Sequence, residues 1–319
     1  MTQLTTRKKL SDIGEFGLID RIRKVNPVKD RNVVIGIGDD AAAIKVQGSR
    51  FKTQDKGMIL LTTDTLVEGV HFDLKYFTFY ELGWKLLAVN LSDIAAMGGT
   101  PKYALVTLGL KKSVKVADVD SFYGGIKALA KKYGVKVVGG DIVRSPRNLF
   151  FTMDLMGVAN KIVTRAGARP GDLIISIGSF GASALGLARL KKHGRSAAGV
   201  NPHLMPLPMV KEGRSVSRSA SAMIDNSDGL ARCLIEICKA SKVGAKVYLD
   251  RIPIAKGATL KQALDGGEDY NLLLTVPRSK VRSVKNGIGI GIVTGGRKIV
   301  LIDKNGNEKV LKDKGYEQI

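Results

Sequence analysis

The sequence predicts an α/β protein of two domains, and three observations carry that expectation. Short apolar runs of strand length alternate with amphipathic stretches of helix length, as at 58–61, 81–97, 103–110, 121–133 and 135–138. Several of the strands run into glycines or hydroxyls followed by an aspartate: Thr62-Thr63-Asp64, Gly139-Gly140-Asp141 and Asp225-Asn226-Ser227-Asp228. Finally, 319 residues at 44% hydrophobic content suffice for two cores, and the Pro-Gly turn within 160–172 is where they divide. The expected domains are 1–159 and 160–319.

In chain order, Gly14-Glu15-Phe16-Gly17-Leu18-Ile19 leads into a short amphipathic helix through Ile22 and Val25. A strand at 33–35 then runs into Gly36-Ile37-Gly38-Asp39-Asp40-Ala41, which imitates the dinucleotide pattern G-x-G-x-x-A. Two aspartates in that turn would repel a pyrophosphate unless a cation stood between them. A metal-bridged phosphate is one reading, and Asx-turn and helix-cap duty is the other. The apolar run 58–61 reads as a buried strand that delivers Thr62, Thr63 and Asp64 to its carboxyl end, with Glu68 and His71 within seven residues of Asp64. Hydroxyls and a carboxylate suit a hard cation, while an ordinary capped turn uses the same residues.

Over 81–97, Trp84, Leu87, Leu91 and Ile94 share one helical face and Asn90, Asp93 and Met97 a neighbouring one. Asp93 lies near the end of an otherwise apolar helix, where an unpaired buried carboxylate is costly, so it is either exposed or bound to a cation. Gly98-Gly99 stops that helix. A strand at 103–110, a helix at 121–133, a strand at 135–138 ending in Gly139-Gly140-Asp141 and a strand at 149–158 complete the first domain. Arg165 and Arg169, at the hinge, are phosphate clamps or surface charge. The second half restarts with a strand at 173–177 and a helix at 182–193, whereas 194–221 shows no readable period. A strand at 222–224 reaches Asp228, which precedes an apolar helix and reads also as its N-cap. Gly266-Gly267-Glu268-Asp269-Tyr270 opens a strand at 271–276, and the Gly-Ile alternation at 287–293 reads as a close-packed strand.

Charge and composition narrow the function. Against 51 Lys and Arg stand 29 Asp and Glu, a net +22 that is spread through both halves and forms no basic tail. Such charge favours anionic ligands and permits non-specific nucleic-acid binding. Aromatic content of 6% with no basic-aromatic interleaving argues against a specific nucleic-acid partner. No apolar run approaches the roughly 18 residues of a membrane span, and the first ten residues carry no apolar signal-type segment, so the expected location is cytoplasmic. Cys233 and Cys238, five apart in one helix, read as small core residues, and three histidines are too few for a His-based metal cluster.

Nine of the 29 carboxylates (Asp39, Asp40, Asp64, Asp93, Asp141, Asp225, Asp228, Glu268 and Asp269) fall within these short stretches. In so basic a chain that concentration points to several Mg²⁺ ions and a polyphosphate, since each Mg²⁺ shares one or two carboxylates with substrate phosphates. A phosphoryl transfer fits, needing positioning and charge neutralisation above all. The chain has no Gly-Lys dipeptide, hence no Walker A loop, and no HRD or DFG, hence no protein-kinase site.

The motifs GEFGLI (14–19), GIGDDAA (36–42), TTDTLVEGVHF (62–72), VNLSDIAAMGG (89–99), GGD (139–141), TRAGARPGD (164–172), SDGL (227–230) and GGEDY (266–270) resemble, in order and spacing, those of the thiamine-monophosphate kinase family. The match runs from about residue 14 to Tyr316, with 194–221 unmatched. The resemblance implies the two-domain aminoimidazole ribonucleotide synthetase-like fold and a homodimer whose N-terminal sheets pair into a barrel. It also implies ATP as co-substrate, several Mg²⁺ ions, thiamine monophosphate as acceptor and no catalytic base. By this resemblance Asp40, Thr62, Thr63, Asp64, Asp93, Asp141, Asp225 and Asp228 match metal ligands. Tyr123, Gly140, Asp141, Arg165 and Ser227 match ATP contacts, and His71, Glu268 and Tyr316 match contacts to thiamine phosphate.

The chain departs from the family pattern at Ile142-Val143, where two threonines are usual, at Asn226, where an aliphatic residue is usual, and at Asn271, where glutamate or a similar residue is usual. The rival readings are another ATP-using enzyme of the same superfamily and a basic nucleic-acid-binding protein on this fold. Against the first, the opening 60 residues hold no cysteine and the chain ends in Tyr-Glu-Gln-Ile, unlike selenophosphate synthetase and the hydrogenase-maturation relative respectively. Against the second, the acidic motifs are intact.

Overall fold

The computed structural model describes residues 9–45 and 57–311. The first half runs α1 (Gly14–Val25), β1 (Val33–Ile35), β2 (Ala42–Lys45), β3 (Met58–Val67), α2 (Phe79–Ala96), β4 (Thr100–Leu110), α3 (Val116–Tyr133), β5 (Lys136–Arg144) and β6 (Phe150–Ala159). Its strands form one sheet in the order β1-β2-β3-β6-β4-β5, parallel only between β4 and β5. β6 lies antiparallel to both β3 and β4, so the β3–α2–β4 crossover is split by an inserted strand.

The second half runs β7 (Leu173–Ile177), α4 (Ala182–His193), α5 (Asn201–Leu204), α6 (Val210–Val216), β8 (Ala222–Asp225), α7 (Leu230–Ser241) and β9 (Gly244–Tyr248). It continues with α8 (Leu260–Asp265), β10 (Leu272–Val276), β11 (Gly287–Thr294), β12 (Ile299–Ile302) and β13 (Glu308–Val310). These strands form a second sheet, β13-β12-β9-β11-β7-β10-β8. Here β10 sits between β7 and β8 in the same split manner, and only β9 and β12 pair parallel. Both sheets are therefore mixed. Among the described residues no helix is long and apolar enough to cross a membrane.

Helix α2 is the element between the sheets. It starts from a capping box in which Thr78 accepts from the Glu81 amide and Glu81 accepts from that of Thr78. Leu82, Leu86, Leu87, Leu91 and Ile94 are fully buried. The absence of a side chain lets it touch α3 closely: a Cβ on Gly83 would lie 1.9 Å from the Phe122 carbonyl oxygen, and one on Gly125 1.9 Å from that of Tyr80. The unreadable stretch 194–221 docks on these same two helices. Trp84 Nε1 donates to the Pro206 carbonyl at 2.8 Å and the Tyr133 hydroxyl to that of Pro208 at 2.9 Å, while Leu190, Val200, Leu204 and Val210 enter the first core.

Several elements differ from the sequence expectation, each for a physical reason. β3 does not end at Leu61 but continues to Val67, with inner and outer faces alternating, because β6 pairs with it over its whole length. Thr62, Thr63 and Asp64 thus lie within a strand. β5 likewise carries Gly139-Gly140-Asp141 in its middle and is exposed along its length. α3 begins five residues before Ser121, at a box where Asp118 accepts from the Lys115 amide. Strand β2, not a helix, follows Gly36–Ala41, which removes the dinucleotide reading. Gly229 is the N-cap of α7, without a side-chain cap, so Asp228 is released from that duty.

Candidate active site

A cavity of about 910 Å³ opens between the two sheets. Asp40 reaches it from the turn before β2, Thr62 and Asp64 from β3, Asp93 from α2, and Asp225 and Asp228 from the end of β8 and the turn beyond it. The period of two in β3 puts Thr62 and Asp64 on one face and Thr63 on the other, more exposed one, and all three border the cavity. Thr62 Oγ1 donates to Asp93 Oδ2, and Ser92 Oγ donates to Asp225 Oδ2 at 2.6 Å, joining α2 to the second sheet. Asp40, Asp93 and Asp225 each offer an oxygen within 4.8 Å of the others, and Oδ2 of Asp40 is buried with no hydrogen-bond partner. An all-oxygen donor set with an unpartnered buried carboxylate oxygen fits a hard divalent cation.

The clustering shows in the proton affinities. Burial pushes Asp225 up to about 8, with the Asp40 charge acting the same way, and burial and then Asp228 take Asp64 to about 7. Burial followed by Asp40 takes Asp39 to about 7, and burial followed by Glu15 takes Asp228 to about 6. Asp93 is raised well above the usual range by burial and then Asp64. Asp40 is also raised by burial, against the pull of Arg165. That guanidinium donates to Asp40 Oδ1 from Nε and Nη2 at 3.1 and 2.6 Å, and the Arg165 amide faces the Asp39 carboxylate at 3.2 and 3.3 Å. It is a basic group held directly against the acidic cluster, and the Arg232 charge acts on Asp228 in the same sense.

Gly266–Tyr270 forms the opposite wall. Glu268 and Tyr270 adopt positive φ, 63° and 52°, unusual for residues with side chains. Their amides are held by the Ser227 and Asn226 carbonyls at 2.7 and 3.1 Å. Glu268 lies 2.7 Å from Lys85 Nζ and 3.1 Å from His203 Nδ1. Burial alone would raise its pKa; Lys85 and then His203 outweigh that and hold it at about 2. Asp269 turns away to cap α4, accepting from the Gly181 and Ser183 amides at 2.6 and 2.8 Å. Asn226 approaches Asp269 at 3.4 Å and Asn271 donates to the Ser179 carbonyl at 2.6 Å, so both departures from the family pattern brace the loops around the cavity. His71 Nδ1 accepts from the Val67 amide at 3.0 Å, which leaves the proton on Nε2.

Of the residues singled out in the sequence, Asp40, Thr62, Thr63, Asp64, His71, Asp93, Arg165, Asp225, Ser227, Asp228 and Glu268 all line this cavity. Tyr123, Gly140 and Asp141 do not: Tyr123 is on α3 and the other two are on the exposed edge strand β5. Gly140 shares a row with Val106, Met153 and Asp64, three strand spacings or about 14 Å from Asp64 within one chain. Tyr316 lies outside the described residues. Lys85 and His203 went unread in the sequence. For Lys85 a signal existed, since it stands four and eight residues before Val89 and Asp93, on the stripe of α2 that faces the cavity.

Residues 38–159 match the family model of the AIR synthase related protein, N-terminal domain, and residues 169–317 that of its C-terminal domain. A thiamine-monophosphate kinase of Buchnera aphidicola subsp. Acyrthosiphon pisum is 35% identical, over 95% of this chain and 98% of its own. That of Escherichia coli K12 is 34% identical over 95% and 98%. The solved structure of AaThiL complexed with AMPPCP and TMP superposes with a TM-score of 0.86 at 33% identity, covering 98% of this chain and 99% of that one.

Proposed function

We propose, from the premise that this chain belongs to the thiamine-monophosphate kinase family of AIR synthase related proteins, that the cavity between its two sheets is where donor and acceptor phosphates meet. The enzyme phosphorylates thiamine monophosphate at the expense of ATP. An oxygen of the acceptor phosphate forms the new bond to the γ-phosphorus in line with the departing β–γ bridging oxygen, giving thiamine diphosphate and ADP. The observation that carries the reading is the pairing, in one cavity, of the Asp40–Asp93–Asp225 oxygen cluster with Glu268 on the opposite wall.

The acceptor phosphate is already ionised, so no residue need act as base. The work left to the protein is electrostatic and geometric. Asp40, Thr62, Thr63, Asp64, Asp93, Asp225 and Asp228 would hold Mg²⁺, which when bound offsets the repulsion between the two anionic phosphates. Arg165 is next to these carboxylates and Ser227 is beside Asp228, where a triphosphate shared with them would lie. At the other wall Glu268, anionic across the working pH range, suits the cationic thiazolium or the aminopyrimidine, and His71 lines the same cavity.

The division of the chain at 159/160 and a homodimer belong to the same reading. One face of the first sheet exposes Leu61, Tyr103 and Leu105, and β5 beside it exposes Val138 and Ile142 with one edge unpaired. Such a face and edge call for cover. A second copy, its sheet pairing with this one into a barrel, covers both. It also carries the partner's β5 toward Thr63, whose side chain is on that face, and so supplies Gly140 and Asp141 to the site from across the interface.

The test is ³¹P NMR of the protein with ATP, Mg²⁺ and thiamine monophosphate beside an Asp64→Asn control. The expected result is a thiamine diphosphate signal that grows with ADP and is lost in the control. ADP formed without thiamine diphosphate overturns the acceptor, and no nucleotide turnover overturns the kinase.

A further inference from the structure

We propose that Lys85 is a positioning residue for the acceptor: a wholly buried ammonium whose task is to hold Glu268 ionised and oriented toward the cationic, amino-bearing heterocycles of the thiamine end. The proposal rests on the kinase reading above and concerns a residue that touches Glu268, not the reacting phosphates.

Lys85 has no exposed surface. It stands in a helix among Leu82, Leu86, Ala88 and Val89, all buried, where taking an ammonium out of water costs several kcal/mol and a methionine would fill the same space. Something must offset that cost. Among the described residues its one ion-pair partner is Glu268, at 2.7 Å, and its Nζ also lies 5.2 Å from the centre of the Phe77 ring. The same ring packs against His203 at 5.6 Å.

His203, itself 3% exposed, meets the second carboxylate oxygen through Nδ1. Ser183 Oγ reaches that same Nδ1 at 3.0 Å. Because Ser183 and Glu268 share one ring nitrogen and not opposite ones, the trio cannot relay a proton to make Ser183 a nucleophile. It is a bracket. Lys85 Nζ, buried and with no other polar partner, stands against Oε1 as an ion pair, His203 Nδ1 stands against Oε2, and the exposed part of the carboxylate borders the cavity with Tyr76, Leu187 and Tyr270.

A carboxylate framed by aromatic and apolar side chains selects a cation or an N–H donor and repels a phosphate. The carboxylate cluster and Arg165 occupy another wall of the cavity, so the bracket sorts the two ends of one substrate. The charged and titratable groups facing Glu268 are Lys85 from α2, His203 from α5, the adjacent Asp269, and the phenols of Tyr76 and Tyr270; Lys191 of α4 faces His203 in turn. Of these, Lys85 alone sets an amine nitrogen of a basic side chain against the carboxylate, at 2.7 Å.

The experiment compares wild type, Lys85→Met, Lys85→Arg and the double variant Lys85→Met with Glu268→Gln. Steady-state kinetics in each substrate from pH 5.5 to 9 are joined to calorimetry with thiamine alone, without ATP. Loss of one charge-assisted contact predicts a KM for thiamine monophosphate raised about tenfold in Lys85→Met, with kcat and the KM for ATP changed by less than about threefold. It also predicts a new loss of kcat/KM toward acid pH, partial rescue by arginine, and a double variant no worse than the worse single. Thiamine binding weakened in Lys85→Met supports the proposal whether or not turnover is seen. Unchanged thiamine affinity, equal losses toward ATP and acceptor, or additive losses in the double variant overturn it. The double variant, which removes both buried charges, carries the binding test if Lys85→Met fails to fold: thiamine affinity equal to wild type then overturns the proposal. A wild type that turns over ATP with a different acceptor and ignores thiamine overturns the acceptor reading and this proposal together; turnover of thiamine monophosphate with thiamine affinity indifferent to Lys85 overturns the proposal alone.

Discussion

Arg165 Nη2 stands 2.6 Å from Asp40 Oδ1, and this ion pair ties the link between the two halves to the acidic wall of the cavity. Both partners are largely out of water, so removing the cation leaves an uncompensated carboxylate whose only recourse is to take a proton. Arg165→Gln should therefore lower the unfolding free energy in metal-free buffer by about 3 kcal/mol at pH 8. The loss should be smaller at pH 6, where Asp40 protonates more readily. Urea unfolding at the two pH values checks this; a pH-independent loss under about 0.5 kcal/mol would mean that the pair behaves as an exposed one.

The raised carboxylates make a second expectation. Asp39 and Asp64 at about 7, Asp225 at about 8 and Asp228 at about 6 keep protons when folded that they release when unfolded. Between about pH 4 and about pH 8 the folded chain binds more protons, so these groups' contribution is complete at the acid end and is lost as pH rises through their folded values. In metal-free buffer Tm should fall from pH 5.5 to pH 8.5. Added Mg²⁺ should recover more of Tm at pH 8.5 than at pH 5.5, and its binding near pH 7 should release about one to three protons. Thermal scans and titration in two buffers of different ionisation enthalpy read both quantities.

Much of this site was legible because its chemistry is written in short local words. Asp64, Asp93 and Asp228 stand out as carboxylates where an apolar strand or helix should continue, and the cavity collects all three. What the words do not carry is depth and distance. Thr62-Thr63-Asp64 reads the same at the end of a strand as within one, and only pairing with β6, some ninety residues on, extends β3 past it. The stretch 194–221 has no period because its helices run no longer than seven residues and are anchored at scattered points, by Val200, Leu204 and Val210 in the first core and by the Pro206 and Pro208 carbonyls that accept from Trp84 and Tyr133. Glu268 and Asp269 are adjacent and alike in type, yet one faces the cavity and the other caps α4, a difference made by the left-handed backbone at Glu268.

Close approach of α2 and α3 sets the position of Lys85 and Asp93, and it depends on Gly83. A methyl group there would press on the Phe122 carbonyl, which is backbone and cannot rotate away. Gly83→Ala should cost about 1–3 kcal/mol of stability despite the better helix propensity of alanine. Because α2 carries Asp93 of the acidic wall and Lys85 behind Glu268, kcat/KM should fall as well. A control at Gly134, with open space beyond its Cβ, separates crowding from backbone effects: its φ of 73° predicts strain alone in Gly134→Ala, and activity in that variant should hold.

The homodimer makes a prediction that no single-chain site shares. If Asp64 of one copy works with Asp141 of the other, Asp64→Asn and Asp141→Asn are each inactive, but a mixed dimer has one site with both lesions and one with neither. Half of randomly reassorted dimers are mixed, so unfolding and refolding the two variants together should restore about a quarter of wild-type activity in a two-fold assembly. Were the two aspartates to serve from the same chain, every site would keep one lesion and no activity would return. Ile142→Lys, placed on the exposed edge, should lower the dimer fraction in sedimentation and activity in proportion, since losing the interface loses Asp141. A monomeric variant with full activity would remove the partner from the site.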